Sequence, residues 1–351
     1  MFKFLNKLSR LKKVSIIMIS FFILFFISAI DWITGTELSV SIFYLIPVAL
    51  IAWFTSKKLG VFFAFFTSIM WFLADLFSSH SYSHPLIPYW NTFVMVGIFI
   101  SFSLLLSTLK NVIDNENKMA SDIQRNLLPK INPQIPGCKI ISVWEPTRVV
   151  SGDYYDFISL NQNKLEIALS DVCGHGFPAA LLMSNLQAIF RITAVHNHSP
   201  KEVCKHLNDV LIDYEIAEKF TSFFYGILDI EKKEFTYSNA GHPPPIILRG
   251  EKEIIHLSNG GLLLGVDPNA LYEQSTIKLE HGDSILFYTD GIVETRNLLG
   301  EEFGESRLID FYQKNKNLDE YNFKQNFLDD INKFSSSNID DDITLVVFSI
   351  E

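Results

Sequence analysis

The sequence predicts an α+β protein, with four transmembrane α-helices followed by a layered domain of mostly antiparallel β-sheets flanked by helices. Three observations carry this. Apolar runs of bilayer length fill the first 110 residues. From residue 139 short runs rich in β-branched and aromatic residues take over, at 139–143, 165–170, 221–230, 234–238, 246–249, 275–279, 284–288 and 343–350. Helical stretches at 177–196, 200–217, 304–315 and 320–333 fall between these runs without regular alternation, which disfavours a doubly wound parallel sheet.

At 351 residues and 48% hydrophobic content, the chain is too apolar for an ordinary soluble protein, and the excess sits before residue 111. That part holds eight Lys or Arg against three Asp or Glu, a balance of +5. The whole chain is −10, so residues 111–351 carry −15. An acidic soluble part excludes nucleic acid as the expected partner, since phosphate backbones require clustered Lys and Arg. Three scattered cysteines, Cys138, Cys173 and Cys204, suit a reducing compartment and give no disulfide framework.

Taken in order, Lys3, Lys7, Arg10, Lys12 and Lys13 precede a first span at about 14–30, which reads as an uncleaved anchor. Spans at 38–54, with Pro47 as an expected kink, 59–77 and 90–109 follow. Asp31 and Glu37 lie in the first loop, Lys57 and Lys58 in the second, and Lys110 follows the fourth span. Positive charge marks the cytoplasmic side, so both termini and the domain after the membrane are expected in the cytoplasm. Asp75 falls near the outer end of its span, and it and the loop residues His80 and His84 read as ordinary interfacial groups. A linker helix is expected over 111–130. Its apolar residues Val112, Ile113, Met119, Ala120, Ile123, Leu127 and Leu128 form a stripe near helical spacing, which suggests a homodimer contact. Pro129, Pro133 and Pro136 end it, and residues 131–351 form the second domain.

The chemistry lies in aspartates. The run Leu165–Ser170 ends on Asp171, then Gly174-His175-Gly176 turns the chain into a helix from Phe177. Asp153 and Asp156 lie in Ser-Gly-Asp-Tyr-Tyr-Asp, Asp290 in Tyr-Thr-Asp-Gly, and Asp340, Asp341 and Asp342 precede the last strand. A single aspartate at a strand end is commonly a turn residue. Four such regions together, without Cys/His ligand spacing, point to Mg²⁺ or Mn²⁺ rather than zinc. The glycines Gly152 and Gly291 beside two of these acids allow close backbone approach.

Residues 119–351 resemble the bacterial SpoIIE/RsbU-like group of PPM (PP2C-type) metal-dependent protein phosphatases. The resemblance rests on motifs in order: Ile123-Gln-Arg-Asn-Leu-Leu-Pro-Lys130, Gly152-Asp-Tyr-Tyr-Asp-Phe157, Asp171-Val-Cys-Gly-His-Gly176 with Pro178-Ala-Ala-Leu181, and Phe223-Phe-Tyr-Gly226. Asn239-Ala-Gly-His-Pro-Pro-Pro245, Leu264-Gly-Val266, Tyr288-Thr-Asp-Gly-Ile292, Phe303-Gly304 and Asp341-Asp-Ile-Thr-Leu345 complete it. Ser151 stands where the family usually has a glycine.

This resemblance implies a PPM-type sandwich and hydrolysis of phosphoserine or phosphothreonine on a partner protein, expected to be a STAS-type anti-sigma-factor antagonist. It implies two Mn²⁺ or Mg²⁺ ions held by Asp153, Asp171, Asp290 and Asp341 and the carbonyl of Val172, with Asp171 bridging and Asp153 and Asp171 catalytic. Gly152, Asp156, Gly174, His175, Gly291 and Asp342 are candidates to line the site. No thiol nucleophile is implied, so Cys173 has no catalytic reading, and His175 and His242 read as structural. A non-catalytic membrane receptor on the same fold predicts degraded ligands, whereas all four acids are present. That receptor and a small-phosphoester hydrolase, which shares the metal core, stay open as the alternatives.

Overall fold

The structure is a computed structural model that describes residues 12–34, 40–78, 82–196, 199–213, 220–250, 253–336 and 339–351. Lys3, Lys7, Arg10, Glu37, His80 and the expected helix end at 214–217 lie outside the described residues. The chain divides into two compact units, 1–117 and 118–351.

The first unit holds α1 (Lys13–Thr34), a 3-10 turn (Ser41–Tyr44) leading into α2 (Leu45–Phe54), α3 (Lys57–Phe77) and the start of α4 (Ile87–Leu127). Among the described residues, α1, α3 and α4 are long and apolar enough to cross a membrane. The span expected at 38–54 differs. Its described part is four residues of 3-10 helix and ten of α-helix, reaching about 23 Å against the roughly 30 Å of a hydrocarbon core. Pro47 sits in the first turn of α2, where its missing N–H costs no hydrogen bond, so it starts a helix instead of kinking one. Asp75 at the end of α3 is buried, and Tyr82 donates its hydroxyl to both carboxylate oxygens at 2.7 and 2.8 Å. The acid is thus satisfied locally. The helix expected over 111–130 is present as the continuation of the fourth expected span: α4 runs 41 residues and ends at Leu127, two residues before Pro129.

The second unit is a four-layer sandwich. Sheet one has the order β1 (Cys138–Glu145), β11 (Ile343–Ile350), β10 (Ser284–Tyr288), β6 (Ile246–Arg249), β7 (Glu253–His256). Sheet two has the order β2 (Tyr154–Ser159), β3 (Lys164–Val172), β4 (Thr221–Asp229), β5 (Glu234–Ala240), β8 (Gly260–Gly261), with β9 (Ser275–Lys278) also paired to β5. Among the described residues every strand pairing is antiparallel except β5 with β8. Helices α5 (Phe177–His196) and α6 (Pro200–Asp213) contribute to the core that includes sheet two. Helices α8 (Gly304–Asn315) and α9 (Glu320–Phe334) pack on sheet one, and α7 (Asp290–Val293) is a single turn. The strands β2, β7 and β8 escape the sequence reading. Two are very short or exposed, and β2 hides in an acid-rich stretch that reads as turn.

Alternation sorts the core. Along β11, Ile343, Leu345 and Val347 join the α8/α9 core, while Val346, Phe348 and Ile350 join the inter-sheet core. From the opposite sheet Tyr155 and Phe157 (β2), Leu165, Ile167 and Leu169 (β3) and Phe224 (β4) belong to the same inter-sheet core. Its centre is aromatic: the Phe287 ring lies 5.1 Å from Phe348 and 5.7 Å from Phe224, both edge-on. Burial of each such ring contributes about 1.5–3 kcal/mol.

Candidate active site

The site is where those inward rows turn polar at one end of the sandwich. Two residues before Tyr155 comes Asp153; two after Leu169 comes Asp171; two before Phe224 comes Ser222. On the facing sheet, Thr289 follows Ile285 and Phe287 with the same parity, and Thr344 precedes Val346. Alternation therefore aims five polar side chains at one end of an apolar slab.

Asp153 is buried, and two hydroxyls donate to its Oδ2, Thr289 Oγ1 at 2.7 Å and Thr344 Oγ1 at 2.6 Å. The two threonines are adjacent in sheet one: Thr289 donates its N–H to the Thr344 carbonyl at 3.1 Å, and Thr344 donates its own to Thr289 Oγ1 at 3.1 Å. With Oδ2 so occupied, Oδ1 is the oxygen left to the site. Burial, with the charge of Asp171 next, pushes the Asp153 carboxyl well above the usual carboxylate range. Asp171 is pushed up to about 7, by burial first and then by Asp290 and Asp341, and partly held down by hydrogen bonding with Asp153. Its backbone N–H donates to Ser222 Oγ at 3.3 Å, and Ser222 Oγ lies 2.8 Å from His242 Nδ1. His242 is buried, and desolvation lowers its pKa to about 3, so it is neutral and buttresses Ser222.

Asp290 opens α7, and both it and Asp341 are raised, burial being the main cause. The exposed His175 counters the rise at Asp341. Gly291 is dictated by close approach: a Cβ there would stand 2.0 Å from the Asp342 carbonyl oxygen. It lets the α7 turn lie directly against the Asp341–Asp342 backbone. Gly174 and Gly176 take φ of 94° and 75°, the left-handed region that turns β3 into α5. The Val172 carbonyl faces Gly152, 3.0 Å from where a Cβ would stand there, with Asp171 Oδ1 at 3.4 Å.

One candidate leaves the site, and a second lines it as a support, its charge raising both Asp153 and Asp171. Asp156 is three residues from Asp153, so on an extended strand it points to the opposite face. There it is fully buried under α5 and accepts from Arg191 Nε at 2.6 Å and Nη2 at 2.8 Å, and from the Tyr154 hydroxyl at 2.6 Å. Asp342 is buried with both oxygens engaged: Thr147 donates to Oδ1 from N at 2.8 Å and Oγ1 at 3.0 Å, and the Gly152 N–H donates to Oδ2 at 3.0 Å. It ties the Asp153 loop to the start of β11. Sequence reasoning missed Thr289, Thr344 and Ser222. Each is a polar residue at the end of an apolar alternating row, a signal legible once the strands are assigned.

Among the described residues no three Asp, Glu, His or Cys side chains close on one point tightly enough to hold an ion as they stand. A divalent cation nevertheless fits what is present. All four carboxylates are raised, first by burial and then by a neighbouring acid: Asp153 by Asp171, Asp171 by Asp290 and Asp341, Asp341 by Asp290, and Asp290 by Glu294. No Lys or Arg ion pair reaches any of them among the described residues. Their donors are the hard oxygens that Mg²⁺ and Mn²⁺ take.

The sequence pattern described as Stage II sporulation protein E (SpoIIE) matches residues 161–351. The chain is 30% identical over 259 residues to phosphoserine phosphatase RsbU of Bacillus subtilis, covering 72% of this chain and 76% of that protein. It is 30% identical over 291 residues to Protein IcfG of a Synechocystis species, covering 72% of this chain but 45% of that one, so it spans less than half of that relative's length. The SiaA-PP2C domain of Pseudomonas aeruginosa shares the fold with a TM-score of 0.61 at 21% identity, over 69% of this chain and 99% of that domain. With the end-of-sandwich carboxylates and the four-layer fold, these matches place the chain in the SpoIIE family of PP2C-type serine/threonine protein phosphatases.

Proposed function

We propose that this chain is a membrane-anchored, metal-dependent phosphatase that removes phosphate from serine or threonine of a partner protein, a phosphorylated STAS-type protein. The single observation behind the reading is a set of four carboxylates at one end of the core, without a Lys or Arg ion pair among the described residues to offset them. Asp153 through Oδ1, Asp171, Asp290, Asp341 and the Val172 carbonyl would hold two Mn²⁺ or Mg²⁺ ions. Bound ions would supply Lewis acidity, activating water and neutralising the charge that develops on the phosphoryl group. The residues do the placing. Thr289 and Thr344 fix the rotation of the Asp153 carboxylate, Ser222 and the neutral His242 steady the end of β3, and Gly291 admits the Asp341 backbone. No nucleophilic side chain is needed: Cys173 has its backbone N–H on the Phe220 carbonyl at 3.0 Å and belongs to the turn.

The test is release of phosphate from a phosphoserine STAS-type protein by the full chain in detergent, with Mn²⁺ and with chelator, beside p-nitrophenyl phosphate. Metal-dependent turnover that favours the protein substrate supports the reading. Equal or better use of the small ester would make it a small-phosphoester hydrolase, and no turnover of either would leave a binding protein.

The three long apolar helices suit membrane anchoring. With the shorter apolar segment Ser41–Phe54 as a fourth crossing, we place both termini and the phosphatase unit in the cytoplasm, the side on which Lys57, Lys58 and Lys110 then fall. A reporter fused after Lys110 should read as cytoplasmic. The exposed α4 residues Val112, Met119 and Ile123 support a homodimer along this helix. Ile123→Gln should abolish self-association of the detergent-solubilised chain while changing stability by less than about 0.5 kcal/mol; an unchanged association state would remove the pairing.

A further inference from the structure

We propose that Gln124, one turn from the end of α4, is a positioning residue for Asp153, acting through the backbone of Ser151. The proposal rests on the metal-ligand reading of Asp153 above. Residues 151–153 precede β2 and belong to no strand ladder. Each of their three successive backbone N–H groups is instead held by a side chain: Ser151 donates to Gln124 Oε1 at 2.9 Å, Gly152 to Asp342 Oδ2 at 3.0 Å, and Asp153 to Ser151 Oγ at 3.0 Å. Gln124 also donates, from Nε2 to the Ser151 carbonyl at 2.7 Å. Its amide gives Ser151 both bonds that a neighbouring strand would give. Gln124 is 3% exposed and Ser151 fully buried, so neither bond has water to replace it.

The chemistry admits few substitutes. One side chain must offer a donor and an acceptor side by side at this length, which a primary amide does and a carboxylate, a thioether or an aliphatic chain cannot. The same turn of helix touches a second support of the loop. The Trp144 indole N–H donates to the Asp153 carbonyl at 3.3 Å, and the Arg125 guanidinium lies 5.5 Å from the centre of the Trp144 ring. The helix end is itself tied to α5, where Gln187 Nε2 donates to the Leu127 carbonyl at 3.3 Å, and Leu128 is buried in the inter-sheet core. The loop that carries Asp153 is thus suspended between the end of α4 and the start of β11.

The experiment uses the full chain in detergent, stripped of metal, with Mn²⁺ binding read by calorimetry. Gln124→Met keeps the volume and removes both bonds; Gln124→Glu keeps the acceptor and sets a carboxylate oxygen against the Ser151 carbonyl. We expect either variant to bind Mn²⁺ about tenfold more weakly, with KM for the phosphoprotein unchanged and turnover recovering toward wild type as Mn²⁺ is raised. A variant that loses only thermal stability, with unchanged Mn²⁺ affinity, would show that Gln124 merely satisfies buried backbone and would overturn the proposal. Hydrogen exchange on the wild-type chain decides the matter without any variant. Positioning is reciprocal, so Mn²⁺ should slow exchange in peptides covering 119–127 as well as 147–153, and a response confined to 147–153 overturns it. If the wild-type chain binds no Mn²⁺, the metal reading itself fails, a result distinct from a failure of Gln124 alone.

Discussion

The two faces of β2 put the same side chain to opposite uses three residues apart. Asp156, on the α5 face, is neutralised from within the fold by a two-point contact with Arg191 and by the Tyr154 hydroxyl. Asp153, on the inter-sheet face, is equally buried but meets only neutral hydroxyls and other carboxylates. A buried charge without a partner is expensive. Where the fold supplies the counter-charge, the acid is architecture; where it withholds it, the acid is set up for something from outside. That contrast separates the structural from the functional aspartates better than their sequence neighbourhoods do.

The strongest way to break the contrast is Asp171→Asn. Turnover should fall about 10³-fold, roughly 4 kcal/mol of transition-state stabilisation, while metal-free stability holds or rises because a like charge is gone. Retention of a tenth of wild-type turnover at saturating Mn²⁺ would refute the role given to Asp171. On the other face, Arg191→Met strands the Asp156 charge and should lower unfolding stability by about 3 kcal/mol, with turnover per folded molecule nearly unchanged. Adding Asp156→Asn to it should recover much of that loss; a double variant no more stable than the single would mean the pair is not what Arg191 contributes. Metal supply tests the inter-sheet face directly. Mn²⁺ at 100 times its Kd should raise stability by about 2.7 kcal/mol, read as a shift in the denaturant midpoint, whereas Asp171→Asn should show little shift. The smallest effect is expected for Thr344→Val, which removes one of two hydroxyls from Asp153 Oδ2. Mn²⁺ affinity should drop about tenfold, and an unchanged affinity would mean Thr289 alone orients the carboxylate.

Much of the molecule is legible in the amino-acid sequence alone. Length and apolarity mark four spans in the sequence because a bilayer imposes a length, and three of them are matched by long apolar helices among the described residues. The acids of the site announce themselves beside glycines because they end strands or open turns. Eight of the strands and the helices around them follow from local pattern, since a residue's propensity and its neighbours' alternation are near-range properties. Ser-Gly-Asp-Tyr-Tyr-Asp is the exception, reading locally as a cluster of turn acids. Once it is known to lead into a strand, parity alone divides Asp153 from Asp156.

Facing and partnership were decided only in three dimensions. Thr344 reaches Asp153 across 191 positions and Thr289 across 136; Asp342 closes on Gly152 across 190, and Gln124 on Ser151 across 27. Such distances are set by how two sheets stack and which strand ends meet, and no local pattern encodes them. The sequence by itself therefore determined which residues could bear the chemistry, because residue type and strand-end position are local. The tertiary structure decided which of them share an environment, because the energy of a buried charge depends on what the rest of the chain brings beside it.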